Sequence, residues 1–179
     1  MITFHTNIDR IDYPLVAIDL GYSHKKASCG IMHIGIKEPM SLTFGASIKE
    51  IIRLVEQHPT LVLVLEAVLS TYHDEYGNPD IRGDFEKGRG WYHGPGIATY
   101  AAAIRLLGTL RQNFTSNATV YLAEAFLSFK GTPSSHSNDA RIIFDAFWNT
   151  DTENLKDGTE PIQDFIKGVP SVRVFKPNG

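Results

Sequence analysis

Cysteine is nearly absent from this 179-residue chain, which contains only Cys29. A single thiol excludes an internal disulfide and a zinc site built from several thiolates. Long apolar stretches are missing too, because no run approaches the roughly 20 residues that a membrane-spanning helix requires. Residues 1–13 mix charged with apolar side chains and lack the apolar centre of a secretory signal. These absences favour a cytoplasmic protein that does not contact a membrane.

Excess positive charge is also missing, since 17 Lys and Arg residues face 20 Asp and Glu residues and the formal net charge is -3. This balance excludes a protein that binds nucleic acid mainly through its overall charge. A nucleic-acid site would have to be a local patch or act through bound cations. Hydrophobic residues make up 42% of the chain, which is enough for one core, and the length fits a single domain over residues 1–179.

Apolar runs and two-residue alternation predict the strands, and apolar residues at helical spacing predict the helices. The strands are expected at 15–18, 27–34, 40–44, 61–65 and 119–123, with a further short strand at 171–175. The first three strands are expected to be antiparallel and the later ones parallel, because helices then separate them. The sequence therefore predicts an α/β fold with a mixed five-stranded sheet flanked by helices. Residues 70–95 are expected to form a long loop insertion and residues 150–179 a polar tail.

Three helices are expected, beginning near residues 47, 97 and 137. Ser47 and Glu50 match the capping box that starts many helices. In the second helix one face is apolar, and it consists of Ile97, Tyr100, Ala101, Ile104 and Leu107.

An acidic residue follows three of the apolar runs, namely Asp19, Glu66 and Glu124. The carboxyl ends of parallel strands meet at one edge of a sheet, which is where open α/β sheets bind ligands. Crowded carboxylates are costly unless a cation offsets their charge, and Mg²⁺ or Mn²⁺ are the usual partners of oxygen ligands. Two such ions about 4 Å apart can stabilise the attacking and the leaving oxygen of a phosphodiester.

The last predicted helix adds a fourth acid. His136 and Asp139 are three residues apart and share a face if the helix has begun there. Asp139 and Ile143 are four apart, so the same stripe can pack on the sheet through Ile143 and present Asp139 at its edge.

The combination of Asp19 at the end of the first strand, Glu66 at the end of the fourth, and His136-x-x-Asp139-Ala140 at the start of the last helix is similar to the RNase H-like superfamily. It resembles the RuvC-type Holliday-junction resolvases in particular. The stretch 66–70, with Glu124 ahead of the His-x-x-Asp motif, also resembles a family of predicted RNase H-like nucleases. These likenesses extend over residues 14–148.

The resemblance implies a metal-dependent nuclease that hydrolyses DNA or RNA with two Mg²⁺ or Mn²⁺ ions, and it allows a homodimer. Asp19, Glu66, His136 and Asp139 would be the catalytic residues. Asp19 and Glu66 would share the metals, Asp139 would hold the second ion, and His136 would be a ligand or would orient the attacking water. Glu124 would be an auxiliary metal ligand.

Four residues are expected to contact the substrate, namely Arg82, Trp91, Tyr92 and Lys130. Aromatic rings beside cationic side chains can stack on bases, and the planar guanidinium of Arg82 can hold a phosphate. An alternative interpretation makes residues 70–95 a solvated loop with Trp91 and Tyr92 packed beneath it, and pairs Lys130 with Glu124.

Two other functions remain open at this point. The stretch Ala17–Gly21 resembles the first phosphate-binding turn of actin-like ATPases and sugar kinases, although those proteins normally need two such domains. The chain is alternatively a non-catalytic binding module that has kept an RNase H-like fold, because a fold alone does not determine a function.

Overall fold

The structure is a computed structural model, and it describes residues 1–9, 12–67, 69, 95–114, 117–128, 130–151, 154–157 and 169–177. The strands are β1 (Ile2–His5), β2 (Leu15–Asp19), β3 (Cys29–His33), β4 (Met40–Leu42), β5 (Thr60–Glu66), β6 (Ala118–Ser128), β7 (Lys156–Asp157) and β8 (Ser171–Lys176). The helices are α1 (Phe44–Gln57), α2 (Pro95–Asn113) and α3 (His136–Trp148). In this part of the chain no helix combines the length and the apolar character needed to cross a bilayer.

One mixed sheet forms the centre of the α/β fold. Its strand order is β4-β3-β2-β5-β6-β8-β7, and β1 pairs with β6 off this path. The strand β3 is antiparallel to both of its neighbours, β2 and β4, whereas β2, β5 and β6 run parallel. These five strands are those predicted from the sequence, with the predicted directions.

The predicted count of five strands is wrong, because the sheet has eight strands within the described residues alone. The reason is the length of β6, which spans 11 residues instead of the five expected. One edge of β6 pairs with β5, and the other edge accommodates two strands in succession. There β1 pairs with Ala118–Tyr121 and β8 pairs with Glu124–Ser128. The strand predicted at 171–175 is confirmed as β8, and β7 adds to its outer edge.

The strand β5 explains why the sheet needs helices on both faces. Its side chains alternate between two apolar clusters, with Leu61, Leu63 and Leu65 in one and Val62 and Val64 in the other, and all five are fully buried. The leucines lie in the cluster that contains the buried faces of α1 and α2, and the valines in the cluster that contains α3. Burial of each such side chain stabilises the fold by about 1.5–3 kcal/mol.

The predicted capping box is wrong, because the N-cap of α1 lies four residues before Ser47. Thr43 is the N-cap residue, and its hydroxyl accepts a hydrogen bond from the Ala46 backbone at 3.3 Å. Ser47 lies inside the helix, where its hydroxyl donates to the Phe44 carbonyl at 2.7 Å.

Candidate metal centre

Asp19 and Glu66 are the last residues of two neighbouring parallel strands and stand opposite each other in the register of β2 and β5. Side chains alternate between the faces of a sheet, so their faces follow from the residues before them. Ala17 and Val64, two residues earlier in each strand, belong to the cluster that packs against α3. Both acids therefore lie on the face that α3 covers, and they lie at the carboxyl edge of these two strands, as the sequence predicted.

The helix α3 brings the third acid to this edge. Ser135 caps its N-terminus by accepting a hydrogen bond from the Asn138 backbone, so the helix starts at His136 and Asp139 is in its first turn. Ile143 and Phe147 anchor the same helix in the core. Asp139 is buried, with only 2% of its surface accessible to solvent, and it lies one turn before Ile143 as predicted.

Gly30 allows this helix to approach the sheet closely. It pairs with Asp19 across β2 and β3, directly below the first turn of α3. A β-carbon built on Gly30 would overlap the backbone carbonyl of His136 and would lie 2.5 Å from the Ser137 nitrogen. Sequence analysis missed this residue, although glycine inside a strand is a known sign of close backbone approach.

The three acids form one group. Asp19, Glu66 and Asp139 each present a carboxylate oxygen, and these oxygens all lie within 4.8 Å of one another. The pKa of Glu66 is raised well above its usual value of 4.5, first by burial and then by the negative charge of Asp19. A divalent cation would offset this crowding, and three carboxylates are the hard oxygen donors that Mg²⁺ and Mn²⁺ prefer. The donor set therefore fits such an ion.

His136 is attached to this group through Asp19. Its Nδ1 lies 2.7 Å from Asp19 Oδ2, and because a carboxylate can only accept, Nδ1 donates the proton. This hydrogen bond raises the pKa of His136 above its usual 6.5, although burial opposes the shift. The side chain is 48% exposed, so the ring meets solvent while one nitrogen is tied to the acid cluster.

A lysine and a serine bind Asp139 from the segment before α3. Lys130 Nζ donates to Asp139 Oδ2 at 2.8 Å, and the Ser134 hydroxyl donates to Asp139 Oδ1. Burial lowers the pKa of Lys130, but the bond to Asp139 and the nearby carboxylates outweigh this and raise it. Lys130 was predicted as a substrate contact, and in the structure it is hydrogen-bonded to Asp139, which was predicted as a metal ligand. No sequence signal marked Ser134.

Glu124 is not among the three acids that converge. The sequence placed it at the end of a strand, whereas β6 continues to Ser128. Glu124 stands opposite Leu65, one residue before Glu66, and therefore faces the α1 and α2 side of the sheet. Its carboxylate accepts a hydrogen bond from the Leu69 backbone at 2.6 Å.

The other predicted substrate contacts, Arg82, Trp91 and Tyr92, lie outside the described residues, as do residues 70–94 of the predicted loop. Comparison of the chain with protein-family models, with curated proteins and with solved structures found no match. The function therefore has to be argued from the geometry of the site and from the resemblance of its motifs.

Proposed function

We propose that this protein is a divalent-metal-dependent phosphodiesterase with an RNase H-like fold that acts on nucleic acid. The observation that carries the proposal is the meeting of three carboxylates from β2, β5 and α3 within 4.8 Å. Asp19, Glu66 and Asp139 are three of the four positions on which the resemblance to the resolvases rests. The five central strands, with the first three antiparallel and the rest parallel, further support the proposed fold.

Each residue of the site has a defined task in this proposal. Asp19, Glu66 and Asp139 hold Mg²⁺ or Mn²⁺, which supplies Lewis acidity toward a phosphate oxygen. His136 is oriented by its Nδ1 hydrogen bond to Asp19, which leaves Nε2 to accept a proton from an attacking water. The same hydrogen bond raises the pKa of His136, which makes Nε2 a stronger proton acceptor.

A short basic loop follows the strand that ends in Asp19, and its exposed lysines suit a substrate that carries phosphates. The connection between β2 and β3 leaves the sheet directly after Asp19 and exposes Lys25 and Lys26. Both backbone N–H groups donate to the Ser23 hydroxyl, at 3.3 and 3.0 Å, which orders the turn. Lysine side chains can bind backbone phosphates without reading bases. Such a patch is local, as the net charge of -3 requires.

The test of the proposal is cleavage of single-stranded, duplex and branched DNA and RNA in the presence of Mg²⁺ or Mn²⁺. Asp19→Asn is expected to lower the cleavage rate at least 100-fold, since loss of one charge-stabilising group costs about 10²–10³ in rate. Asp145→Asn is the matched control, because it makes the same change at an exposed position of α3 and should leave the rate unaltered.

Equal cleavage by wild type and Asp19→Asn would refute the assignment of the site. Binding of Mn²⁺ and of nucleic acid without cleavage of any substrate would favour the non-catalytic module. Binding of ATP, measured by calorimetry, would favour the kinase-like alternative instead.

A further inference from the structure

Lys130 provides a cation inside the candidate metal centre. Its ammonium group lies 2.8 Å from Asp139 Oδ2 and 3.3 Å from the Ser134 hydroxyl. The side chains of Lys130 and Asp139 are only 17% and 3% exposed, respectively. The pair is therefore largely removed from water, where the interaction of two charges is stronger than at an open surface.

This lysine reduces the number of metal ions whose positive charge the carboxylates can neutralise. When all three carboxylates are ionised, as ligation of a cation requires, they carry three negative charges, and Lys130 offsets one of them, so two remain. One divalent cation neutralises this remainder. A second would leave two excess positive charges in a site where Lys130 has little solvent to screen it, and a protonated His136 would add to the excess. Uncompensated charge that is removed from water is unfavourable, so binding of a second ion is disfavoured.

The hydrogen bonds of the Asp139 carboxylate also indicate a single metal ion. Oδ2 accepts from Lys130 and Oδ1 accepts from Ser134, so each oxygen already has one donor. A carboxylate has about four acceptor positions, and those that remain can serve the ion shared with Asp19 and Glu66. The ammonium group thus lies on the carboxylate that the resemblance assigns to a second ion.

We propose that Lys130 takes the place of one of the two metal ions, so that the free protein binds a single divalent cation at Asp19, Glu66 and Asp139. This inference rests on the proposed function, because it assumes that the three acids hold an ion. It makes Lys130 a positioning residue that stabilises Asp139 electrostatically.

The number of ions is tested by titrating the full chain with Mn²⁺ in the absence of substrate, with free Mn²⁺ measured by EPR and heats measured by calorimetry. Wild type is expected to bind one Mn²⁺ per chain and Lys130→Met two. Lys130→Arg keeps the positive charge and is expected to bind one. Lys49→Met, at an exposed position of α1, is the matched control and is also expected to bind one.

Two Mn²⁺ ions in wild type that are lost in Asp19→Asn would overturn this inference and leave the proposed function intact. One ion in both wild type and Lys130→Met would overturn it as well, provided that circular dichroism shows the variant to be folded. If Lys130→Met is unfolded, the test rests on Lys130→Arg and wild type. One bound Mn²⁺ in each would support the inference, and two in either would overturn it. No bound Mn²⁺ in wild type would contradict the proposed function, and this inference with it.

Discussion

Replacing Gly30 with alanine is expected to displace the first turn of α3 and to destroy the candidate metal centre. The added β-carbon would meet backbone atoms of His136 and Ser137, which cannot rotate away as a side chain could. Forcing extra atoms into a packed interior typically costs 1–3 kcal/mol, and we expect about 3 kcal/mol here. For a chain of this size that corresponds to a fall in melting temperature of roughly 6–12 °C.

The measurement is thermal and urea unfolding, together with Mn²⁺ titration of the folded protein. Gly108→Ala is the matched control, because Gly108 lies within α2 with open space where a β-carbon would be placed. Alanine is favoured over glycine in a helix by about 1 kcal/mol, so this control should be slightly stabilised. If Gly30→Ala unfolds like wild type and binds Mn²⁺ equally well, the close approach of α3 to β3 is refuted.

Replacing Glu66 with glutamine is expected to stabilise the protein without metal and to abolish its stabilisation by metal. In the folded, metal-free chain burial and the charge of Asp19 raise the pKa of Glu66. The folded state therefore holds this proton at pH values where the unfolded state has lost it. Stability is greatest below the unfolded value near 4.5 and falls as the pH rises through the folded pKa. Glutamine removes this contribution, so the variant should be more stable than wild type at neutral pH.

With Mn²⁺ added, wild type should become more stable than Glu66→Gln. A ligand at 100 times its Kd stabilises the state that binds it by about 2.7 kcal/mol, and wild type should gain that amount while Glu66→Gln gains none. Unfolding is followed by circular dichroism across a pH series, with and without Mn²⁺. Glu56→Gln, at an exposed position of α1, is the control and should behave like wild type. A variant that is less stable than wild type without metal, or that is stabilised by Mn²⁺ as wild type is, would contradict the convergence of the acids.

The sequence predicted those elements of the fold whose own residue pattern determines their secondary structure and burial. The uninterrupted apolar run of β5 predicted a strand buried on both faces, and the structure confirms this. The strands β1 and β7 are only four and two residues long and were not predicted. Such strands are defined by the edge with which they pair, and a local pattern does not contain that information.

The helix α2 shows the same limit in another form. The helix was predicted correctly, but much of the face predicted from its apolar spacing is exposed, with Ile97, Tyr100 and Ile104 about half accessible. The buried side is formed by Ala102, Ala103, Leu106 and Leu110. Apolar residues occur on both sides of this helix, so its spacing pattern alone did not identify the side that packs on the sheet.

For the candidate site, the sequence identified the acids whose positions depend on a strand end or on a helix start. Asp19, Glu66 and Asp139 are of this kind, and the structure brings them together. The position of Glu124 depends on which face it takes, and that follows from the length and pairing of β6. The role of Gly30 depends on where α3 packs against the sheet, and the sequence of β3 alone does not contain that information.

The anchoring of α3 has a consequence for how the site opens. Ala140, Ile143 and Phe147 are fully or nearly fully buried, and the helix that carries them also carries Asp139. The first turn of α3 cannot swing outward without exposing this apolar stripe, so we expect no separate low-energy opening there. Backbone amides of α3 and of β2 should exchange with deuterium at similar slow rates, and an ion that bridges the two should slow both together.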